Sequence, residues 1–239
     1  MKRFNNFCLV ICTSLFLVSC MPVIPPDANS LPSNSLPSNG YDIVGIDISR
    51  HQGKIDFEKV KAAGISYIFI RATDGITYQD PNFKTNFSSA QAAGITIGAY
   101  HFYETNDDPI AQFGNFINVV TLKPGDLPPV IDIERLHKQD DVKLIENIQK
   151  FLDAFEAYYG VKPIIYSGRN FSNKYLTEFG SYPLWLAEYE VDDPKLPAGW
   201  DDWTFWQWSP SDTISGINGD VDADRFNGDE VSFQNMLIK

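Results

Sequence analysis

From Tyr41 to the end of the chain, short β-branched runs alternate with amphipathic segments. No other feature limits the fold so strongly, because βα units in series make a parallel sheet or a barrel. Residues 43–48 read as a first strand, followed by a helix over 56–63 that Gly64 closes. A strand over 67–72, a helix over 82–93 stopped by Gly94 and a strand over 95–102 come next. Both helix ends carry the phrase Ala-Ala-Gly-Ile and lead straight into a strand, which is repeated αβ-loop chemistry. The series continues with a helix over 109–120, a strand over 130–134, a long helix over 141–159, a strand over 163–166, a helical piece over 169–179 and a strand over 184–187. Then the helices stop: residues 203–208 and 219–226 read as strands with no helix between or after them. Eight strands with five helices predict an α/β barrel of the (β/α)8 kind whose last third has lost its helices. A chain of 239 residues, 44% hydrophobic, is long enough for one large core and short for two, so one domain is expected.

Within this pattern the stretch Pro-Pro-Val-Ile-Asp-Ile-Glu at 128–134 sets two carboxylates two residues apart in a run that otherwise reads as a buried strand. Strand alternation puts Asp132 and Glu134 on one face, with Cα atoms roughly 6–7 Å apart. Burying two like charges together costs several kcal/mol and pushes at least one pKa upward, which is how a general acid is made. The competing reading is an edge strand with both carboxylates in water. In barrels of this kind chemistry sits at the carboxyl ends of the strands. Asp47, Arg71, His101, Asp132 with Glu134, and Tyr166 end the first five strands, while Trp185, Gln207 and Asp222 lie in the last three. One floor thus gathers four acids and several aromatics, the composition of a carbohydrate cleft.

The N-terminus reads as an export signal. Lys2 and Arg3 form a charged start, residues 7–18 an apolar run too short for a convincing membrane span, and Leu17-Val18-Ser19-Cys20 a cleavage site. Those four residues resemble a bacterial lipobox, which implies a diacylglycerol anchor on Cys20 and placement at the cell envelope after removal of residues 1–19. Residues 20–40, rich in Pro, Ser and Asn, are expected to act as a flexible linker. All three cysteines lie in the first 20 residues, so the mature body holds no thiol. A net charge of −12 disfavours nucleic acid as a partner.

Seven phrases, in order, carry a resemblance: Gly-Ile-Asp-Ile-Ser-Arg-His-Gln-Gly at 45–53, Ile-Arg-Ala-Thr-Asp-Gly at 70–75, Gly-Ala-Tyr-His-Phe at 98–102, Val-Ile-Asp-Ile-Glu at 130–134, Leu-Trp-Leu-Ala at 184–187, Phe-Trp-Gln-Trp at 205–208 and Val-Asp-Ala-Asp-Arg-Phe at 221–226. Together they resemble the glycoside hydrolase family 25 lysozymes of the Chalaropsis type, across essentially all of residues 41–239. The resemblance implies an irregular TIM-like (β/α)5(β)3 barrel that cleaves the β-1,4 bond between N-acetylmuramic acid and N-acetylglucosamine in peptidoglycan, with retention. Glu134 looks like the general acid/base, Asp132 a carboxylate that assists it, and Asp47 and Asp222 the other members of the acidic floor. Tyr100, Tyr166, Trp185, Gln207 and Arg71 fall where such a cleft is lined. The second phrase more often reads Lys-Ala-Thr-Glu-Gly, and the Arg71 and Asp74 found here would alter hydrogen bonding in that subsite.

Other constellations weigh less. Asp220, Asp222 and Asp224 begin like a calcium loop, but Arg225 stands where the turn needs glycine and Val231 where the bidentate glutamate belongs. His51, His101 and His137 have no metal-ligand spacing, so neither a metal nor a cofactor is expected. His101 is open to two readings, a cleft residue or a satisfied histidine in the barrel wall. The expectation is a monomeric, lipid-anchored muramidase acting on peptidoglycan glycan strands; the alternative is a non-catalytic peptidoglycan-binding lipoprotein.

Overall fold

The computed structural model describes residue 36 and residues 40–137 and 141–239, all within the compact unit Leu31–Lys239. The export signal, Cys20 and most of the linker therefore lie outside the described residues. Leu36, inside the predicted linker, is 2% exposed and joins the apolar layer around the barrel.

Strands β1 (Val44–Ile48), β2 (Tyr67–Asp74), β4 (Thr96–Phe102), β5 (Val130–Asp132), β6 (Ile164–Gly168), β7 (Leu184–Ala187), β8 (Phe205–Asp212) and β9 (Val221–Phe226) pair in chain order, and β9 pairs back to β1, closing a ring. A two-residue strand, β3 (Tyr78–Gln79), lies outside the ring, paired to the end of β2. Neighbours from β1 to β8 run parallel, and β9 runs antiparallel to both β8 and β1. Helices α1 (Phe57–Ala62), α2 (Phe83–Ala92), α3 (Pro109–Ile117), α4 (Asp141–Tyr159) and α5 (Arg169–Tyr175) cover the first five crossovers, and β7, β8 and β9 follow one another without a helix between them. The expected helix-poor last third is present.

Local chemistry explains the elements. Asp56 and Asp108 cap α1 and α3, and Pro109 occupies the first turn of α3, where its missing N–H is not needed. In α4, Leu144, Ile148, Phe151, Leu152 and Phe155 recur at helical spacing and bury one stripe against the barrel. Gly64 and Gly94, in the two Ala-Ala-Gly-Ile phrases, both adopt positive φ, which ends each helix and turns the chain into a strand.

Strand alternation sorts the core into two layers. Ile46, Ile48, Ile68, Ile70, Ile131 and Trp206 point outward under the helices and loops. Tyr67, Phe69, Val130, Ile164, Tyr166, Trp185, Phe205 and Phe226 fill the inside. Two glycines make room for the largest rings: a Cβ on Gly45 would lie 2.3 Å from the Tyr67 ring, and one on Gly98 2.7 Å from Phe69.

One element departs from expectation. A sixth helix, α6 (Glu230–Met236), follows β9, where no helix was predicted. Asp229 caps it by accepting from the Ser232 N–H at 2.8 Å. Its Phe233 and the following Leu237 pack on Tyr67 and Phe226, which closes the end of the barrel opposite the cleft. Seven residues with one buried ring leave too short a periodic signal to read.

Candidate active site

At the carboxyl ends of the parallel strands a cavity of about 220 Å³ is lined by Asp47, Arg71, Tyr100, Phe102, Asp132, Glu134, Arg135, Tyr166, Trp185, Tyr189, Gln207 and Asp222. All nine cleft residues named from the sequence are in this set. Phe102, Arg135 and Tyr189 are additions.

The strand β5 ends at Asp132, and Glu134 stands one residue pair beyond it. Ile133 between them is fully buried on the outer side, its N–H donating to the Tyr166 carbonyl at 2.9 Å and its carbonyl accepting from Ser167 Oγ at 2.6 Å. That anchoring carries the in-out alternation past the strand's last residue, so both carboxylates face the cavity. With β4 and β6 on either side, β5 is no edge strand, and Asp132 is buried. Glu134 is exposed as a residue at the rim. Loss of water around its carboxyl raises its pKa, against the opposing pull of Arg135 and Arg71. Burial also pushes Asp132 well above the usual carboxylate range, reinforced by Glu134 and Asp47, and its Oδ1 has no hydrogen-bond partner among the described residues.

Asp222 joins this floor by a route that the parallel rule does not supply. Because β9 runs antiparallel, its start, not its end, lies at the cleft, and Asp222 sits directly across from Asp47 in the β1–β9 register. Burial raises both, Asp222 to about 6, and the charge of Asp222 raises Asp47 further. Gln207 ties the floor together: its Nε2 donates to Asp47 Oδ2 at 2.5 Å, and its Oε1 accepts from Tyr166 Oη at 2.7 Å and from Tyr189 Oη. Trp185 lies flat on Phe69, with ring centres 4.4 Å apart, and donates from Nε1 to Asp224 Oδ1 at 2.8 Å. Asp224, which the calcium-like spacing had flagged, is thus a fully buried carboxyl beneath the floor, with its pKa raised by burial and by Asp47.

At the other end of the cleft Arg71 pairs with Asp74, and Phe102 lies between the guanidinium groups of Arg71 at 5.3 Å and Arg135 at 4.7 Å. A register shift in β2 just after Arg71 separates these residues from the regular ladder and aims them at the rim. His101 lies in the barrel wall, not in the cleft: it is fully buried on the outer face, held by Thr73 Oγ1 at 2.7 Å and Gln112 Oε1 at 3.1 Å, and burial lowers its pKa to about 4. Among the described residues no group of three or more His, Cys, Asp or Glu side chains is arranged to hold a metal ion.

An acid-floored, aromatic-walled cleft at the strand ends of a helix-depleted barrel defines a barrel of the glycoside-hydrolase kind. The chain matches the model of glycosyl hydrolases family 25 over residues 46–217. It belongs to that family. It is 35% identical over 200 residues to the protein YegX of Escherichia coli O157:H7, covering 81% of this chain and 73% of that one. Against Lysozyme M1 of Streptomyces globisporus it is 35% identical over 205 residues, covering 78% and 68%. The crystal structure of a bacterial lysozyme from Streptomyces coelicolor superimposes with a TM-score of 0.79 at 31% identity, over 83% of this chain and 98% of that one.

Proposed function

We propose that this chain is a muramidase that hydrolyses the β-1,4 bond between N-acetylmuramic acid and N-acetylglucosamine in peptidoglycan. The observation that carries the reading is the convergence of Asp132, Glu134, Asp47 and Asp222 with Tyr100, Tyr166, Trp185, Gln207 and Arg71 on one cavity. Family membership and the lysozyme names among its relatives support the same reaction.

In this reading Glu134 holds the proton that the departing glycosidic oxygen takes, and its raised pKa keeps that proton in place to higher pH than an ordinary glutamate would. Positive charge then develops on the sugar ring, and Asp132 beneath it stabilises that charge or orients the reacting group. Glu134, now a carboxylate, takes a proton from the incoming water, which restores the starting state with retention. The first displacement uses either an aspartate or the substrate's own N-acetyl oxygen. Asp47 fixes the floor through Gln207, with Asp222 across from it on β9, and the faces of the aromatic walls receive the sugars. The enzyme works as a monomer, exported and held at the cell envelope by a lipid on Cys20, with no cofactor.

The deciding experiment digests purified peptidoglycan with the chain and with Glu134→Gln, then reduces the products and weighs them by mass spectrometry. Muropeptides ending in a reducible muramic acid, lost in the variant, are expected. Intact glycan with a folded wild-type protein would move the assignment to a binding lipoprotein.

A further inference from the structure

Beyond the cleft, the helix-free side of the barrel carries a second cavity, about 910 Å³, bordered by Tyr41, Tyr189, Glu190, Asp192, Trp208 and Arg225 among others. Tyr189 borders both this cavity and the cleft. Its base is Arg225, which alternation on β9 turns outward, away from Asp222 and Asp224. Arg225 is only 3% exposed. Its guanidinium packs on Trp208 at 4.3 Å, Trp206 at 5.0 Å and Tyr41 at 5.2 Å, and no carboxylate pairs with it among the described residues.

The unpartnered atoms matter. Nε and Nη2 of Arg225 and Nε1 of Trp208 are buried donors with no acceptor among the described residues. Buried N–H groups are normally satisfied, and those that are not ask for a partner. Nε and Nη2 form one edge of the guanidinium fork, the edge that receives both oxygens of a carboxylate side by side. The mouth carries the opposite sign: Glu190 and Asp192 are exposed, and Glu190 is held at φ 58°, the one non-glycine residue at positive φ among the described residues. A simple anion would be repelled at that mouth. A group bearing both a carboxylate and an ammonium satisfies the two ends at once.

We propose that this cavity is a second substrate site, which takes a peptide stem carried by the glycan strand, a free carboxylate of the stem on Arg225 and a side-chain ammonium of the stem at Glu190 and Asp192. The proposal rests on the muramidase reading for the identity of the strand. The rings now screen Arg225 from water, so Trp208 turns aside as the carboxylate enters. The site therefore reads the peptide while the cleft reads the sugars, and Tyr189 is the wall between them.

The test compares the chain with Arg225→Met on two substrates, intact peptidoglycan and the same glycan stripped of its peptides by an amidase. The expected result is a KM raised about tenfold or more on the peptide-bearing strand, in line with loss of a charged hydrogen bond, and unchanged kinetics on the stripped one. Arg225→Lys, which keeps charge but not the fork, should fall between. Equal losses on both substrates, or none on either, overturn the proposal. If Arg225→Met does not fold, Glu190→Gln at the exposed mouth replaces it, with the same selective rise in KM expected and the same overturning outcomes. If the wild type cuts neither substrate, the muramidase reading fails separately, and isolated stem peptide is titrated against tryptophan fluorescence. Saturable binding lost in the variant supports the site, and no binding overturns it.

Discussion

Two opposing influences meet on the Glu134 carboxyl: lost hydration raises its pKa, and Arg135 with Arg71 lowers it. As the proposed proton donor it would work only below that pKa, so activity should fall as pH rises through it. Arg135→Gln removes one of the lowering charges, so the basic limb of the kcat/KM profile should move to higher pH, with the acid limb nearly fixed; a downward shift would contradict the assignment. Tight packing makes a second residue-scale prediction. Gly45→Ala would drive a methyl into the Tyr67 ring, and with backbone on one side and a plugged barrel on the other it should cost about 1–3 kcal/mol, read by urea unfolding. The residues legible in the sequence were those at fixed strand parity, from Asp47 to Gln207, because alternation and strand ends locate them. Tyr189 lies in a loop, where no period points to it. Asp224 was hidden behind its calcium-like spacing, and Arg135 had no signal beyond standing next to Glu134.

At the scale of elements, the short β-branched runs and the glycine-closed helices could be read within a few residues of their ends, since burial and turn chemistry are local. Strand direction could not. Nothing within Val221–Phe226 says that it runs antiparallel; that follows from the tight β8–β9 connection, which leaves no room for a crossover. The helix α6 was likewise illegible, although it plugs the barrel. Its weight can be measured: Phe233→Ala should cost about 3–5 kcal/mol, because the cavity would open between the Tyr67 and Phe226 rings, and a change under 1 kcal/mol would show that the plug is not structural.

For the molecule as a whole, the buried acids decide how stability varies with pH. Asp47, Asp132, Asp222 and Asp224 all have folded-state pKa values above the unfolded value of about 3.9, so between that value and the folded ones the native state binds more protons than the unfolded chain. Their contribution is therefore fully present below about 3.9 and is lost as pH rises from there through the folded values, Asp222's share by about 6 and the shares of the more strongly raised groups above it. His101, lowered to about 4, works the other way as pH falls below 6.5, but it is one group against four. Thermal unfolding should give a higher Tm at pH 5 than at pH 7.5, and Asp224→Asn should flatten that slope. Leu36 adds a further whole-molecule expectation: Leu36→Ala should lower stability by about 2–5 kcal/mol, and a chain begun at residue 41 should melt earlier than one begun at 31. The ring itself closes through the first and last strands, and the antiparallel β9 brings both Asp222 and Arg225. A ribosome must therefore have made the chain through β9 before the cleft has a complete floor. A shortened or half-made copy would carry Glu134 without the strand that seals the barrel, and so stay harmless to any wall it touched.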